Sequence, residues 1–239
     1  MTFNQQEFDV RCEWGERGLT ELAPVSNVLV IVDVFSFSTS VDIAVSRGAM
    51  VVPYQADEKA AEFAASIHAE LARPERTESR LSLSPASLLQ IPRGTRIVLP
   101  SLNGARLSLL AGPVPLLAGC LRNARAVATA AQRYGSRISV IAAGERWKDD
   151  DSLRPALEDL IGAGAIISHL GDSLSPEAMS AKAVFRGAAP HLLEHISRCG
   201  SGKELIEGGF AKDVGLASEL DVSGCAPTLI DGTFACDQA

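Results

Sequence analysis

The sequence predicts an α/β fold: a mostly parallel sheet in a three-layer arrangement, with helices on both faces. Three observations carry that expectation. Val28–Val32 is an unbroken apolar run, the pattern of a strand buried on both sides. Strand-like and helix-like segments alternate from residue 8 to about 170, which gives parallel strands joined by right-handed crossovers. A chain of 239 residues, 46% hydrophobic and 21% charged, has near-average globular composition and can bury a substantial core.

Residues 8–14 alternate apolar and polar as a strand does, with Arg11 expected to face solvent, and residues 15–23 suit a short helix. The apolar strand that follows runs into Asp33. Small hydroxyl residues come next, Ser36, Ser38, Thr39 and Ser40, and then Val41, Ile43, Ala44 and Val45 at helical spacing, ended by Gly48. Thr39 and Asp42 have capping-box spacing. Residues 49–54 read as a strand, 57–72 as a helix rich in Ala and Glu, and 73–80 as a polar surface loop. Ser84 and Pro85 fit the cap and first residue of a short helix.

Strands at 95–100, 116–120 and 138–143 each lead into a polar turn and a helix. Asn123 is a natural cap for the second of these. A helix is expected from about Leu153, with Leu153, Leu157, Leu160, Ile161, Gly164 and Ile167 on one face. On that wheel Asp159 falls among Ala163, Ile166 and Leu170, a packed side where an unpaired carboxylate is costly. Beyond Ser175 the pattern is helical and then mixed, with a cap at Ser201 and a late strand at 226–230. Uniform composition argues for a single domain over 1–239, two intimately packed lobes at about 1–174 and 175–239 being the other division.

In open α/β sheets ligands bind beyond the carboxyl ends of the strands. Four such ends carry unusual polar residues: Asp33 with Ser36, Ser38 and Thr39; Ser101, Asn103 and Gly104; Arg122 and Asn123; Glu145 and Arg146. Acids beside hydroxyls, backbone N–H groups and arginines suit a divalent cation and a small anionic substrate. Mg²⁺ is the natural ion, since it takes carboxylate, water and phosphate oxygens. Asp33, Glu145 and Asp159 are the expected catalytic and metal-binding acids, Asp33 acting as ligand or as nucleophile. Ser36, Ser38, Thr39, Ser101, Asn103, Gly104 and Asn123 are expected to line the anion site, with Arg122 and Arg146 taking a second anionic group.

A net charge of −7, with no basic stripe, argues against nucleic acid. No Gly-x-Gly-x-x-Gly follows a strand, so no dinucleotide cofactor is expected. Five scattered cysteines suggest reduced thiols, and with no basic-apolar leader or membrane-length apolar run the expected location is cytoplasmic, away from membranes.

Asp33-Val-Phe-Ser-Phe-Ser-Thr39, Leu99-Pro-Ser-Leu-Asn-Gly104, Leu121-Arg-Asn-Ala124, Ala142-Ala-Gly-Glu-Arg146, Leu153-Arg-Pro-Ala-Leu-Glu-Asp159 with Gly162-Ala-Gly164, and Ser201-Gly-Lys-Glu-Leu205 with Asp213-Val214 occur in order along nearly the whole chain. Together they resemble the 2-phosphosulfolactate phosphatase (ComB) family. The resemblance implies a ComB-like α/β fold, a homodimer, and a Mg²⁺-dependent phosphatase acting on 2-phosphosulfolactate, or a related phospho-hydroxy acid, in coenzyme M biosynthesis. One departure stands out. The archetypal first motif looks like Asp-Val-x-Arg-Ala-Ser/Thr, whereas Ser36 and Phe37 occupy the Arg and Ala positions here, as in a divergent branch. Arg122 or Arg146 is expected to supply the missing charge. The alternative is a non-catalytic metabolite-binding protein that keeps the fold and the anion pocket.

Overall fold

The computed structural model describes residues 2–236 except 74 and 79. In chain order its elements are β1 (Val10–Trp14), α1 (Gly15–Leu22), β2 (Val28–Val32), α2 (Phe37–Ser46), β3 (Met50–Tyr54), α3 (Ala60–Ser66), β4 (Glu70–Leu71), β5 (Arg96–Pro100), α4 (Gly104–Leu110), β6 (Leu116–Gly119) and α5 (Ala124–Gln132). They continue with β7 (Ile138–Ala142), β8 (Glu145–Arg146), β9 (Leu153–Arg154), α6 (Leu157–Ile167), α7 (Pro176–Ala188), α8 (Leu192–Arg198), α9 (Gly200–Glu207), α10 (Ala211–Ala217), β10 (Pro227–Ile230) and β11 (Thr233–Cys236).

Nine strands form one sheet in the order β1-β7-β2-β6-β10-β11-β3-β5-β4. β1, β7, β2 and β6 pair in parallel, as do β3, β5 and β4. The antiparallel hairpin β10–β11 joins the two groups. The pleat of β2 sorts its side chains by parity. Val28, Val30 and Val32 pack with α5, α6 and α7, while Leu29 and Ile31 pack with α1, α2 and α4 on the other face. Both faces are therefore covered, and the three-layer α/β arrangement expected from the apolar run is what forms.

Several local expectations are corrected. The helix expected over 57–72 shortens to α3, and β4 follows it at the sheet edge. No helix starts at Leu153, because residues 145–146 and 153–154 pair as a small antiparallel ladder and α6 begins only at Leu157. Arg11 does not face solvent. It is fully buried, its Nε donating to the carbonyls of Gln5 (3.0 Å) and Phe8 (2.9 Å) and its Nη1 to Val25 O (2.7 Å), so it ties the amino-terminal turn to β1. β11 was not legible, since Thr233–Cys236 is short and carries no alternating pattern.

The residues after 175 divide between two roles. Helices α7 to α10 contribute to the core that backs β1, β2 and β7, and β10–β11 lies inside the main sheet. Among the described residues no helix is long and apolar enough to cross a membrane.

Candidate active site

Asp33 sits one residue past β2, where the chain turns into α2. Its Oδ1 accepts the Phe37 N–H at 3.1 Å and its Oδ2 the Gly104 N–H at 2.9 Å. Phe37 and Gly104 are the first residues of α2 and α4, so one carboxylate closes the amino ends of two helices, where unpaired N–H groups favour negative charge. Glycine is required at 104: a Cβ there would stand 2.4 Å from Phe37 Cδ1.

Asp159, in the first turn of α6, has a similar bracing role on the opposite face of the sheet. Its Oδ1 accepts the Val34 N–H at 2.7 Å and its Oδ2 the Gly144 N–H at 2.8 Å. The carboxylate thus fastens the ends of β2 and β7 to α6. Beside it Glu158 is buried, and its Oε1 has no hydrogen-bond partner in the chain. Glu145 on β8 accepts Asn103 Nδ2 on Oε2 at 3.0 Å.

These acids perturb one another. Burial pushes Asp33 up to about 6, opposed by the N–H groups of Phe37 and Gly104 and by Arg76, and reinforced by Glu158. Burial, followed by the charges of Asp33 and Glu158, takes Glu145 to about 7. Asp159 is raised well above the usual carboxylate range by the same causes, burial first. A group of buried acids that raise each other is the electrostatic mark of a site built for positive charge.

Arg76 supplies one such charge. It projects from the loop after β4, with Nη1 3.7 Å from Asp213 Oδ2, and Asp33 and Glu145 are its next acidic neighbours. Asp213 is itself anchored, since Oδ1 accepts Ser84 Oγ at 2.8 Å and the Ala86 N–H at 3.0 Å. Phe35, Arg76, Glu145, Ser201, Glu204 and Phe210 line a cavity of about 340 Å³. A larger cleft of about 930 Å³ shares Glu145 and Glu204 and adds Asn103, Trp147, Lys148 and Arg154. There the Arg154 guanidinium lies 5.8 Å from the Trp147 ring centroid, and its Nη2 donates to Ser201 Oγ at 3.0 Å. Among the described residues, the buried side-chain atoms without a hydrogen-bond partner are Ser36 Oγ, Arg76 Nη1, Glu158 Oε1, Asp213 Oδ2 and the distant Arg11 Nη2. Four of those five belong to this region, two of them, Arg76 Nη1 and Asp213 Oδ2, facing each other as an ion pair at 3.7 Å, and the remaining orphans, Ser36 Oγ and Glu158 Oε1, call for a ligand or water.

The structure brings Asp33, Asn103, Gly104, Glu145 and Asp159 together, with Ser36 in the same turn. Ser101 shapes that turn, its Oγ accepting the Asn103 N–H at 3.3 Å. Other expected positions have structural duties instead. Ser38 Oγ donates to Ile31 O (3.2 Å) and accepts the Asp33 N–H (3.1 Å), while Thr39 Oγ1 donates to Val34 O (2.9 Å). Both hydroxyls are fully buried, so they brace the turn rather than face a phosphate. The Thr39–Asp42 capping box does not form; Asp42 instead accepts Arg122 Nε at 3.0 Å and Ser223 Oγ at 2.6 Å.

Neither expected arginine is available. Arg122 is held between Asp42 and Glu219, and Arg146 pairs with Glu16 and with Asp151 at 3.3 Å. Asn123 is buried, its Oδ1 accepting the Cys120 N–H at 2.8 Å and its Nδ2 donating to Ala118 O at 3.3 Å. Sequence reasoning missed Arg76, Glu158 and Arg154. Arg76 lies in a stretch without periodicity, and Glu158 shares a helix face with Ala165 and His169 that reads as polar in the sequence although α6 is buried on nearly every side. The usable signal was a pair of acids in a helix's first turn.

Among the described residues no three His, Cys, Asp or Glu side chains converge as a ready cation cage. Both oxygens of Asp33 and of Asp159 already accept backbone N–H groups, so the expected three-acid ligand set is not preformed. The residues present do fit Mg²⁺, which commonly takes one or two carboxylates and fills its octahedron with water and substrate oxygens. The unpartnered Oε1 of Glu158 and the Glu145 carboxyl are the oxygens suited to it.

Known proteins resemble this chain over most of its length. A family model described as 2-phosphosulpholactate phosphatase matches residues 17–232. The probable 2-phosphosulfolactate phosphatase of Pseudothermotoga lettingae is 25% identical over 88% of this chain and 94% of its own length. The 2-phosphosulfolactate phosphatase of Methanothermobacter thermautotrophicus is 28% identical over 87% of this chain and 88% of its own. The probable enzyme of Carboxydothermus hydrogenoformans is 29% identical over 83% and 84%. With its sheet, its strand-end acids and a match over nearly its full length, the chain belongs to the 2-phosphosulpholactate phosphatase family.

Proposed function

We propose that this chain is a Mg²⁺-dependent phosphoric monoester hydrolase acting on 2-phosphosulfolactate or a closely related phospho-hydroxy acid. The observation that carries the reading is the buried acids Asp33, Glu158 and Asp159 next to the half-buried Glu145, which lines a cavity of about 340 Å³ together with Arg76 and has orphaned polar atoms in its surround. The names of the relatives supply the substrate class.

Hydrolysis of a phosphomonoester needs mainly positioning and charge neutralisation. Bound by Glu158 and Glu145, Mg²⁺ would neutralise the acids and polarise the phosphoryl oxygens. Arg76, with a hydrogen-bonding nitrogen to spare, takes phosphoryl oxygens in the planar geometry of a guanidinium. Arg154, held by Ser201 and stacked near Trp147, receives the second anionic group of the substrate in the adjoining cleft. Asp33 is fixed through both oxygens, which suits an electrostatic anchor rather than an attacking group that must swing onto phosphorus. With Glu145 held on the ion, its oxygen not bound to Mg²⁺ orients the attacking water.

The test is phosphate release from a panel of phosphorylated C3 acids, including 2-phosphosulfolactate and phospholactate, with and without Mg²⁺. Turnover that needs the ion and is lost in Glu158→Gln and Asp33→Asn supports the assignment. Binding of these acids by a folded protein with no turnover on any of them rules it out in favour of a metabolite-binding protein.

A further inference from the structure

We propose that Cys225 and Cys236 are a reversible thiol–disulfide pair that closes the open end of the β10–β11 hairpin. Their Sγ atoms are 2.7 Å apart, inside the contact distance of two thiols, so the backbone already holds them close enough to be joined. Among the described residues, no other cysteine pair has its sulfurs in contact. Cys12, Cys120 and Cys199 are buried, Cys120 near enough to Cys225 to raise its thiol but without sulfur contact.

The surroundings divide the work between the two thiols. Cys236 ends β11 and is exposed, so it can meet a soluble oxidant. Cys225 is buried two residues before β10, and burial, then its neighbour Cys236, holds its thiol neutral. Reaction therefore begins at Cys236. Its thiolate attacks one sulfur of oxidised glutathione, forming a mixed disulfide and expelling a glutathione thiolate. That leaving thiolate takes the Cys225 proton. The Cys225 sulfur then displaces the second glutathione, and the protein bond forms. Two protein thiols are oxidised and one glutathione disulfide is reduced to two glutathione thiols.

The position gives the bond a consequence. β10–β11 is the antiparallel insert that links the two parallel groups of the sheet, and Pro227 pairs with Cys236 at its open end. The segment leading to Cys225 also carries Ser223, which donates to Asp42, the partner of Arg122. A bond between the cysteines would anchor that segment and the last strand to each other.

The full chain, equilibrated with reduced or oxidised glutathione and then trapped, provides the test. Reduced protein should show five reactive thiols on denaturation. Oxidised protein should lose two of them, with proteolysis recovering one peptide in which Cys225 and Cys236 are joined, and dithiothreitol should restore both. Cys225→Ser should stop at a glutathione adduct on Cys236, and Cys236→Ser should lose no thiols. If wild-type protein also stops at the adduct, forms bonds between chains, or keeps all its thiols, the pair is not a disulfide site. The reading is independent of the phosphatase assignment, because neither cysteine touches the active-site acids.

Discussion

Replacing Asp159 by alanine separates a bracing role from a role as metal ligand. The side chain is 3% exposed and receives two backbone N–H groups, Val34 at 2.7 Å and Gly144 at 2.8 Å. Truncation leaves both donors buried without partners, and each such orphan costs about 1–3 kcal/mol. Removing one of several mutually repelling acids offsets some of that, since Asp33 and Glu158 both raise Asp159. A net loss of roughly 2–4 kcal/mol follows from these two terms. For a domain of this size that lowers the melting temperature by roughly 5–15 °C. Thermal unfolding followed by far-UV circular dichroism, in chelator and without substrate, measures it. Asp159→Asn should fall in between, because its amide oxygen can accept one N–H while its NH₂ faces the other. An unchanged melting temperature in Asp159→Ala, together with lost turnover, would refute the bracing argument and make Asp159 a ligand.

Three further outcomes are expected. Arg76→Ala should raise the KM for a phosphomonoester roughly 10- to 150-fold, the equivalent of losing one charge-assisted contact of about 1.5–3 kcal/mol, whereas Arg122→Ala should leave KM alone and lower stability by stranding the buried Asp42; steady-state kinetics and melting curves on both variants decide. Gly104→Ala should destabilise the fold by about 1–3 kcal/mol, as overpacking does, because its Cβ would collide with Phe37, and unchanged denaturant midpoints would contradict the contact. The metal-free protein should lose stability as pH rises from about 4 to 7. Asp33 (about 6) and Glu145 (about 7) lie above ordinary carboxylates, so the native state binds more protons than the unfolded chain across that window. Asp33 alone contributes up to about 3 kcal/mol, and Asp33→Asn should flatten the profile measured by chemical denaturation at each pH.

The sequence by itself determined the layered α/β architecture, because a run such as Val28–Val32 has only one comfortable place, between two helical layers. It also marked Asp33 and Asp159 as acids in apolar surroundings, where a carboxylate must have partners. Periodicity and propensity report what a residue's own neighbours in the chain allow. They do not report which distant group will claim its hydrogen bonds. Only the tertiary structure decided that Arg122 and Arg146 are consumed by ion pairs away from the cavity, while Arg76, from an unpatterned loop, pairs with Asp213 and lines the cavity together with Glu145. The hydroxyls of Ser38 and Thr39 read as anion ligands until their carbonyl acceptors five to seven residues back were in view. The short β8–β9 ladder moved the start of α6 from Leu153 to Leu157, and packing on nearly every side of α6 buried Glu158. Burial is local enough to be written in a strand's composition; charge pairing is long-range, and it is fixed only when the folded chain brings the partners within a few ångströms.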